Sequence, residues 1–262
     1  MKLKEFAYLP PDFFTTKMEN LVNIARPERW HYLYDTYKES YCKYPILLNY
    51  ISYTFKRLYS LNLKYHHDNY IYQSDDVCCF NTGLFTLNFE KIYALFNKNT
   101  VPNSFKWVFD GFYKKSAIEL RKIGKLPIRA TYFDNITDLI YDTSLELRIN
   151  IDHILDDEKN KMRIPDIYRD SPNLPMLFNN TAIGYAEVRV MENYKAAVPQ
   201  FFNGKIQFLL PISLGDPKIV DLSLAVEKVG DVYTGRTCLT LDMAYNNARQ
   251  IAKPESDWLV GN

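Results

Sequence analysis

The sequence predicts an α+β fold: a single domain with a helical N-terminal part and a mostly antiparallel sheet that ends in a strand-hairpin-helix arrangement. Three observations support this. Apolar residues recur at helical spacing after Pro45, strand-sized apolar segments fill the middle of the chain, and two strand patterns flank Gly230 before a final helix. With 262 residues, of which 47% are hydrophobic, the chain is long enough to bury a sizeable core. We expect an N-terminal arm over residues 1–27 and one α+β domain over residues 28–262.

The helical N-terminal part is predicted to contain two helices. Large apolar side chains at three- and four-residue spacing indicate a helix over residues 28–40, and Pro45 fits the first turn of the next helix. Two strands follow, at residues 65–72 and 77–84, around a polar turn. Residues 85–96 are expected to continue the sheet and then to enter a short helix.

The middle of the chain mixes helical and strand patterns. Residues 104–123 are predicted to form a helix that Gly124 ends, because glycine is common at a helix C-terminus. Residues 126–133 indicate a strand and residues 150–155 one or two helical turns. Residues 181–198 indicate a longer helix with an apolar stripe.

The C-terminal part has the clearest pattern. Residues 205–214 form an apolar strand pattern that contains a proline, which indicates a sheet edge or a bulge. Residues 219–229 and 232–241 are predicted to pair as a hairpin. Asp242 is then expected to cap a helix over residues 243–252.

Composition argues against several classes of protein. The formal net charge is +1 with 24% charged residues, so neither a disordered chain nor a histone-like cation is expected. The four cysteines include no C-x-x-C pair, which argues against a zinc ribbon or a thioredoxin motif. Four reduced thiols fit a cytoplasmic location. No apolar run reaches the length of a membrane span and no secretory signal is visible, so we expect no membrane partner.

Known catalytic and cofactor fingerprints are missing from the sequence as well. It contains no P-loop, no dinucleotide-binding glycine motif, no G-x-S-x-G and no H-E-x-x-H, so we predict no cofactor. The run His66-His67-Asp68 is a weak chelate, since neighbouring strand residues point to opposite faces. We predict no metal site, and whether this run binds a metal is left open.

Charge is uneven along the chain. Residues 91–129 hold nine Lys and Arg against two acidic residues, whereas residues 130–170 hold ten acidic residues against five basic ones. The basic segment interleaves aromatic rings with lysines, as a groove for single-stranded nucleic acid requires. Trp107, Lys114 and Lys115 are its candidate ligand-binding residues. The alternative is an amphipathic helix whose rings face the core and whose lysines are solvated.

A second candidate site lies where the last strand meets the last helix. Asp242, Asn246, Asn247 and Arg249 can share one face of the first helical turns, where free N–H groups suit a phosphate or a carboxylate. Arg249 can add a bidentate contact. In the alternative interpretation Asp242 caps the helix, and Asn247 and Arg249 make structural hydrogen bonds.

Two further segments supply polar side chains. His153 lies among carboxylates, a setting that can prepare a histidine for general acid catalysis. The alternative is a surface histidine among solvated acids. Asn81 and Thr82, which end a predicted strand, are candidates for another wall of the site.

The longest motif of the chain runs from Tyr233 to Leu259. Shorter motifs are P-I-L at residues 45–47, T-F-K-R-L at 54–58, F-N-T-G-L at 80–84, H-I-L at 153–155, R-I-P at 163–165 and Q-F-L-L-P at 207–211. Together these motifs resemble the family of domain of unknown function 3825, and the resemblance covers most of the chain. Members of that family are similar to bacterial proteins in which the domain can be joined to cold-shock or winged-helix modules. The resemblance therefore implies an association with RNA.

These features lead to three functional hypotheses. The first is a cytoplasmic protein that binds RNA or a nucleotide-like phosphate ligand, with His153 and Arg249 converging on one anion-binding hollow. The second is a metal-independent phosphoesterase or nuclease in RNA processing or defence, in which these two residues are catalytic. The third is a structural domain in which the helices over residues 28–60 form a homo-oligomer.

Overall fold

The computed structural model describes residues 1–33, 42–65, 69–102 and 104–260. Over these residues the chain forms helices and two five-stranded sheets, so the α+β fold class is confirmed. The chain divides into two compact units, Met1–Thr131 and Tyr132–Asn262, and each unit has its own sheet. The arm and the domain boundaries expected from the sequence stay predictions.

The first unit builds its sheet in the order β1-β5-β4-β3-β2. β1 pairs with β5 in parallel, and the other neighbours are antiparallel. Its elements are α1 (Leu3–Phe6), β1 (Ala7–Tyr8), a 3₁₀ turn (Pro11–Phe14), α2 (Thr16–Ile24), α3 (Pro45–Tyr65), β2 (Ile71–Gln73), β3 (Val77–Phe85), β4 (Lys91–Lys98), β5 (Trp107–Lys114) and a second 3₁₀ turn (Ile118–Leu120).

One face of the first sheet is covered by helices. The helix predicted from Pro45 is confirmed as α3, and its Phe55 ring lies 5.5 Å from the ring of Phe80 on β3. Phe80 lies 5.8 Å from Phe96 on β4. The ring of Phe6 on α1 joins them, 4.8 Å from Phe55. We name this the helix-covered face.

The opposite face of the same sheet is covered by the chain that follows β5. Two apolar residues of this chain, Leu120 and Ile123, pack there. Their partners on β3 and β4 are Val77, Cys79, Tyr93 and Leu95. Farther along, the N–H of Ile128 donates to the carbonyl of Asn69 at 2.9 Å, just before β2. We name residues 115–128 the crossover segment, because they run from β5 across this face toward β2.

The helix predicted over residues 104–123 is wrong. Residues 107–114 form strand β5, and within the described range a helical turn occurs only at Ile118–Leu120. Both faces of this sheet are covered, so large apolar residues stand on both sides of the strand and their spacing resembles that of a helix. A bulge between Phe109 and Gly111 shifts the pattern further.

Expectations for other segments of the first unit are met in part. Of the helix expected over residues 28–40, residues 28–33 are not helical, and residues 34–40 lie outside the described residues. The two predicted strands are present as β2 and β3, although α3 extends to Tyr65 and shortens the first. The helix expected before residue 96 is strand β4, and residues 126–133 form no strand.

The second unit builds its sheet in the order β6-β10-β9-β8-β7, with β6 parallel to β10 and the other neighbours antiparallel. Its elements are a 3₁₀ turn (Ile136–Leu139), β6 (Glu146–Arg148), α4 (Ile151–Asp156), α5 (Glu158–Lys161), α6 (Asp166–Arg169), α7 (Leu174–Met176), a π turn (Leu177–Ala182), α8 (Ile183–Glu192), a 3₁₀ turn (Tyr194–Ala196), β7 (Val198–Phe202), β8 (Lys205–Ile212), β9 (Leu222–Val229), β10 (Val232–Leu239), α9 (Leu241–Ala248) and α10 (Asp257–Val260).

The second sheet separates two layers. Alternate residues of β8 and β9, such as Phe208 and Val226, face a core that receives Ile154 of α4 and side chains of α8. The residues between them face the other way, where α9 lies. Asn247 of α9 donates there to Gln200 of β7 at 2.9 Å. We name these two sides the α4 face and the α9 face.

The C-terminal pattern is confirmed with two corrections. β9 and β10 form the predicted hairpin, whose turn contains Gly230 at a φ of 61°. β8 lies inside the sheet, and it accommodates Pro211 because its pairing with β7 ends at Leu209. The last helix is capped by Thr240, whose Oγ1 accepts a backbone N–H at 3.3 Å, so Asp242 is not the cap.

Two helices of the second unit follow the sequence pattern. α4 confirms the helical turns expected over residues 150–155. The helix expected over residues 181–198 ends at Glu192, because the chain enters β7 at Val198. Among the described residues, no helix is both long and apolar enough to cross a bilayer.

Candidate functional site

A row of hydrogen-bonded side chains crosses the α9 face of the second sheet. Nδ2 of Asn247 donates to Oε1 of Gln200 at 2.9 Å, and Nε2 of Gln200 donates to Oε1 of Gln207 at 2.9 Å. Nε2 of Gln207 donates in turn to Oε2 of Glu227 at 3.2 Å. The strands place these residues side by side, since Gln200 is the cross-strand partner of Gln207. We name the four residues the amide row.

The acidic end of the amide row is compensated by two cations. The Glu227 carboxylate lies 2.6 Å from Nζ of Lys205 and 3.4 Å from Nε of Arg236. The hydrogen bond from Lys205 is the main cause that holds the pKa of Glu227 below its ordinary value. The hydrogen bond from Gln207 and the charge of Arg236 add to it, against the opposite effect of burial. Because its members bond to one another, the row fastens α9 to the sheet.

The R-I-P motif completes an edge of β10. β6 pairs with Val232–Thr234 of β10. Farther along the same edge, side chains bond the backbone of Cys238. Nη1 of Arg163 donates to the carbonyl of Cys238 at 2.7 Å, and Oδ1 of Asn160 accepts the N–H of Cys238 at 3.3 Å. These two side chains bond the strand as a neighbouring strand would, so the motif has a structural use.

Four polar residues of the last helix are predicted from the sequence to line an anion site. The structure buries Asp242 fully and leaves Arg249 7% exposed. Nδ2 of Asn246 donates to Oδ1 of Asn247 at 3.4 Å, and Asn247 continues into the amide row. The bonds of Asn247 favour the structural alternative, and a ligand-binding role for the four residues stays a prediction.

His153 and Arg249 are not brought together. His153 is exposed in the first turn of α4, where its backbone N–H donates to Oδ1 of Asn150 at 3.1 Å. α4 packs on the α4 face through Ile154 and Leu155, whereas Arg249 ends the helix on the α9 face. The sheet separates the two helices, so the expected convergence on one hollow does not hold. A role for either residue alone stays a prediction.

Asn81 and Thr82 hold a bulge in β3, and both are buried. Oδ1 of Asn81 accepts the N–H of Gly83 at 2.9 Å, and Oγ1 of Thr82 donates to the carbonyl of Ile92 at 2.7 Å. Gly83 has a φ of 79°, a conformation that glycine adopts without strain. These bonds give both side chains a structural use, and their ligand-binding role stays a prediction.

In the predicted groove of rings and lysines, the lysines are exposed and the tryptophan ring is buried. Trp107 is 1% exposed, so its ring is part of the core and is closed to a nucleic-acid base. Nζ of Lys114 lies 3.7 Å from Oε1 of Glu90. Lys115 is exposed, and its N–H donates to the carbonyl of Lys91 at 2.9 Å. Of these candidates, the lysines are the groups that a ligand can reach.

Exposed basic residues line the face that the crossover segment covers. Lys91 and Lys115 stand next to each other at the ends of β4 and β5, and Nζ of Lys122 reaches Oδ1 of Asn97 at 3.5 Å. Lys91 and Asn97 are separated along β4 by about 20 Å, at about 3.3 Å per residue. We name the exposed cations of this face the basic strip; they are Lys91, Lys115, Arg121, Lys122 and Lys125.

Sequence reasoning singles out one member of the basic strip, Lys115, as a candidate site residue and includes the other four only as cations of the basic segment. The charge count over residues 91–129 points to the segment. Which cations share a face depends on the pairing of β4 with β5 and on the path of the crossover segment. Neither could be predicted, because residues 104–123 were expected to form a helix.

Within the described ranges, no group of three or more His, Cys, Asp or Glu is arranged to hold a metal ion. The run His66-His67-Asp68 lies outside those ranges.

Comparison with known proteins gives one family. A family model described as "Domain of unknown function (DUF3825)" matches residues 21–258. No curated protein and no solved structure matches the chain. The match covers most of the sequence, as the motifs quoted above lead one to expect.

Proposed function

We propose that this chain, which belongs to the DUF3825 family, binds single-stranded RNA through its phosphate backbone, with the basic strip as the contact surface. The observation that carries the proposal is the concentration of exposed cations on one face of the first sheet. Residues 91–129 hold nine Lys and Arg against two acidic residues, whereas residues 1–90 hold ten of each sign. The excess charge of the first unit therefore comes from the segment that builds the strip.

The chemistry of the strip suits phosphates better than bases. Lysine and arginine side chains neutralise phosphates and release the counterions condensed on the nucleic acid, which favours binding at low salt. The rings nearby are less available: Trp107 is buried, and the Tyr113 hydroxyl donates to Asp110 at 2.9 Å. Because these two rings offer little stacking surface, we expect phosphate contacts to dominate and the dependence on base sequence to be small.

Charge reversal on the strip tests this function. We expect Lys115→Glu/Arg121→Glu/Lys122→Glu to weaken binding of a labelled RNA of about 20 nucleotides by about tenfold or more, measured by fluorescence anisotropy. All three side chains are exposed, so thermal unfolding of the variant should match that of the wild type.

A matched control places the same charge change on the other side of the sheet. Lys4, Lys56 and Lys64 are exposed residues of α1 and α3, which cover the helix-covered face. Lys4→Glu/Lys56→Glu/Lys64→Glu should keep the RNA affinity within about twofold to threefold of wild type. An equal loss in both triple variants, or no loss in the strip variant, contradicts the proposal.

The other two hypotheses have less support in the structure. The nuclease hypothesis needs His153 and Arg249 in one site, and their helices lie on opposite faces of the second sheet. The homo-oligomer hypothesis relies in part on a helix over residues 28–40, of which residues 28–33 are not helical.

A further inference from the structure

A groove of about 380 Å³ lies on the second unit, beside the start of β7 and the residues that follow α9. Its volume is within the usual range for small-molecule sites. The buried part of its lining is apolar and consists of Ala197, Val198, Ala248, Ile251 and Pro254. Such a floor suits a planar, weakly polar group.

The rim of the groove carries a ring and two cations. Tyr194 is 59% exposed and lines the groove next to Lys195, and Lys253 contributes from the chain after α9. Both lysines are exposed. Glu255 is the acidic residue of the lining, so cations outnumber anions at the rim.

The rim is held in place by the tail of the family motif. The Oγ of Ser256 donates to the carbonyl of Lys195, and Nε1 of Trp258 donates to the carbonyl of Ala196 at 3.0 Å. From the other side, Oδ1 of Asn193 accepts the N–H of Lys195 at 3.1 Å. The turn that presents Tyr194 is therefore fixed before any ligand arrives, which lowers the entropy cost of binding.

We propose that this groove binds a nucleoside monophosphate, with the base stacked on Tyr194 over the apolar floor and the phosphate held by Lys195 and Lys253. An exposed ring beside two cations supplies both contacts that such a ligand needs: stacking and charge neutralisation. The site lies in the second unit and uses no residue of the basic strip. The proposal is independent of RNA binding by the first unit.

Titration calorimetry with AMP, GMP, CMP and UMP tests the site on the full chain. We expect Tyr194→Ala to weaken binding about tenfold through lost stacking, and Lys195→Glu/Lys253→Glu to weaken it at least as much. A control variant with the same charge change at exposed positions of the second unit that do not line the groove, Lys159→Glu/Lys218→Glu, should bind like the wild type.

Two smaller probes separate the halves of the site. The free nucleoside and inorganic phosphate should each bind about tenfold or more weakly than the monophosphate, because each uses one half of the groove. Inorganic phosphate binding as tightly as the monophosphate would reduce the site to a simple anion contact and overturn the proposal. So would the absence of binding of all four nucleotides, or equal binding by the rim variants and the control.

Trp258 supplies a second readout. Its indole bonds to the rim turn, while Trp30 and Trp107 belong to the first unit and are buried there. We expect a monophosphate to change the tryptophan fluorescence of the wild type, and Trp258→Phe to abolish that change. Ligand-induced fluorescence changes that persist in Trp258→Phe place the ligand elsewhere and contradict the proposal.

Discussion

At the scale of single residues, the bulge of β3 shows how a motif serves the backbone. Gly83 has a φ of 79°, and a Cβ added to it would lie 2.5 Å from Oη of Tyr50. Asn81 accepts the Gly83 N–H and so holds the same turn. The F-N-T-G-L motif thus meets two local needs, a left-handed backbone and space for a tyrosine hydroxyl.

Gly83→Ala is expected to destabilise the protein by about 2–4 kcal/mol, from backbone strain and from the contact with Tyr50. Gly204 isolates the first cause, because its φ is 84° and an added Cβ meets nothing within 4 Å. Gly204→Ala should cost about 1–2 kcal/mol. Urea unfolding measures both, and Tyr50→Phe in the Gly83→Ala background should recover part of the difference. Equal costs at the two glycines would exclude the close contact as a cause.

At the scale of elements, the prediction succeeds for α3 and for the β9–β10 hairpin and fails for β5. α3 keeps an uninterrupted helical stripe, and β9 with β10 flank an evident turn, so all three are predictable. β5 lies in a sheet covered on both sides and carries Phe109 and Phe112 within one bulged stretch. Its apolar pattern therefore loses the alternation that marks a strand.

Helix caps show a finer limit of sequence reasoning. Thr240 and Asp242 are both good capping residues, and they are only two positions apart. The helix begins after Thr240, so Asp242 lies inside its first turn. The amide row is less predictable still. Gln200, Gln207 and Asn247 come from three separate segments, and the alignment of β7 with β8 is what joins them.

The acidic end of the amide row predicts a pH dependence of stability. The pKa of Glu227 is lowered in the folded protein, first by the hydrogen bond from Lys205. Its contribution to stability is therefore complete above the unfolded-state pKa and is lost as the pH falls through the folded-state pKa. Urea unfolding from about pH 7 down to about pH 3 should show a larger loss for wild type than for Glu227→Gln.

The exposed Glu192 provides the control for this measurement, because Glu192→Gln makes the same change of charge on α8. Its stability should follow the wild-type curve throughout. Parallel curves for wild type and Glu227→Gln would show that the carboxylate gains nothing from Lys205 and Arg236.

At the scale of the whole molecule, charge divides along the chain in the same way as the fold. Met1–Thr131 carries 19 Lys and Arg against 12 acidic residues, and Tyr132–Asn262 carries 13 against 19. The net positive charge of the first unit favours association with a polyanion, and we expect the association rate to fall as salt is added. The difference in charge between the two units can be counted from the sequence. Which of these charges lie together on one surface depends on the path of the crossover segment.

The salt dependence of RNA binding tests the central claim most directly, that the basic strip contacts phosphates. Five contacts on a single strand predict a slope of about −3.5 for log affinity against log salt, and Lys115→Glu/Arg121→Glu/Lys122→Glu should flatten it by about 2. The control variant on the helix-covered face should keep the wild-type slope. An affinity that does not change with salt, or a slope that is the same in the strip variant and the wild type, would contradict the account.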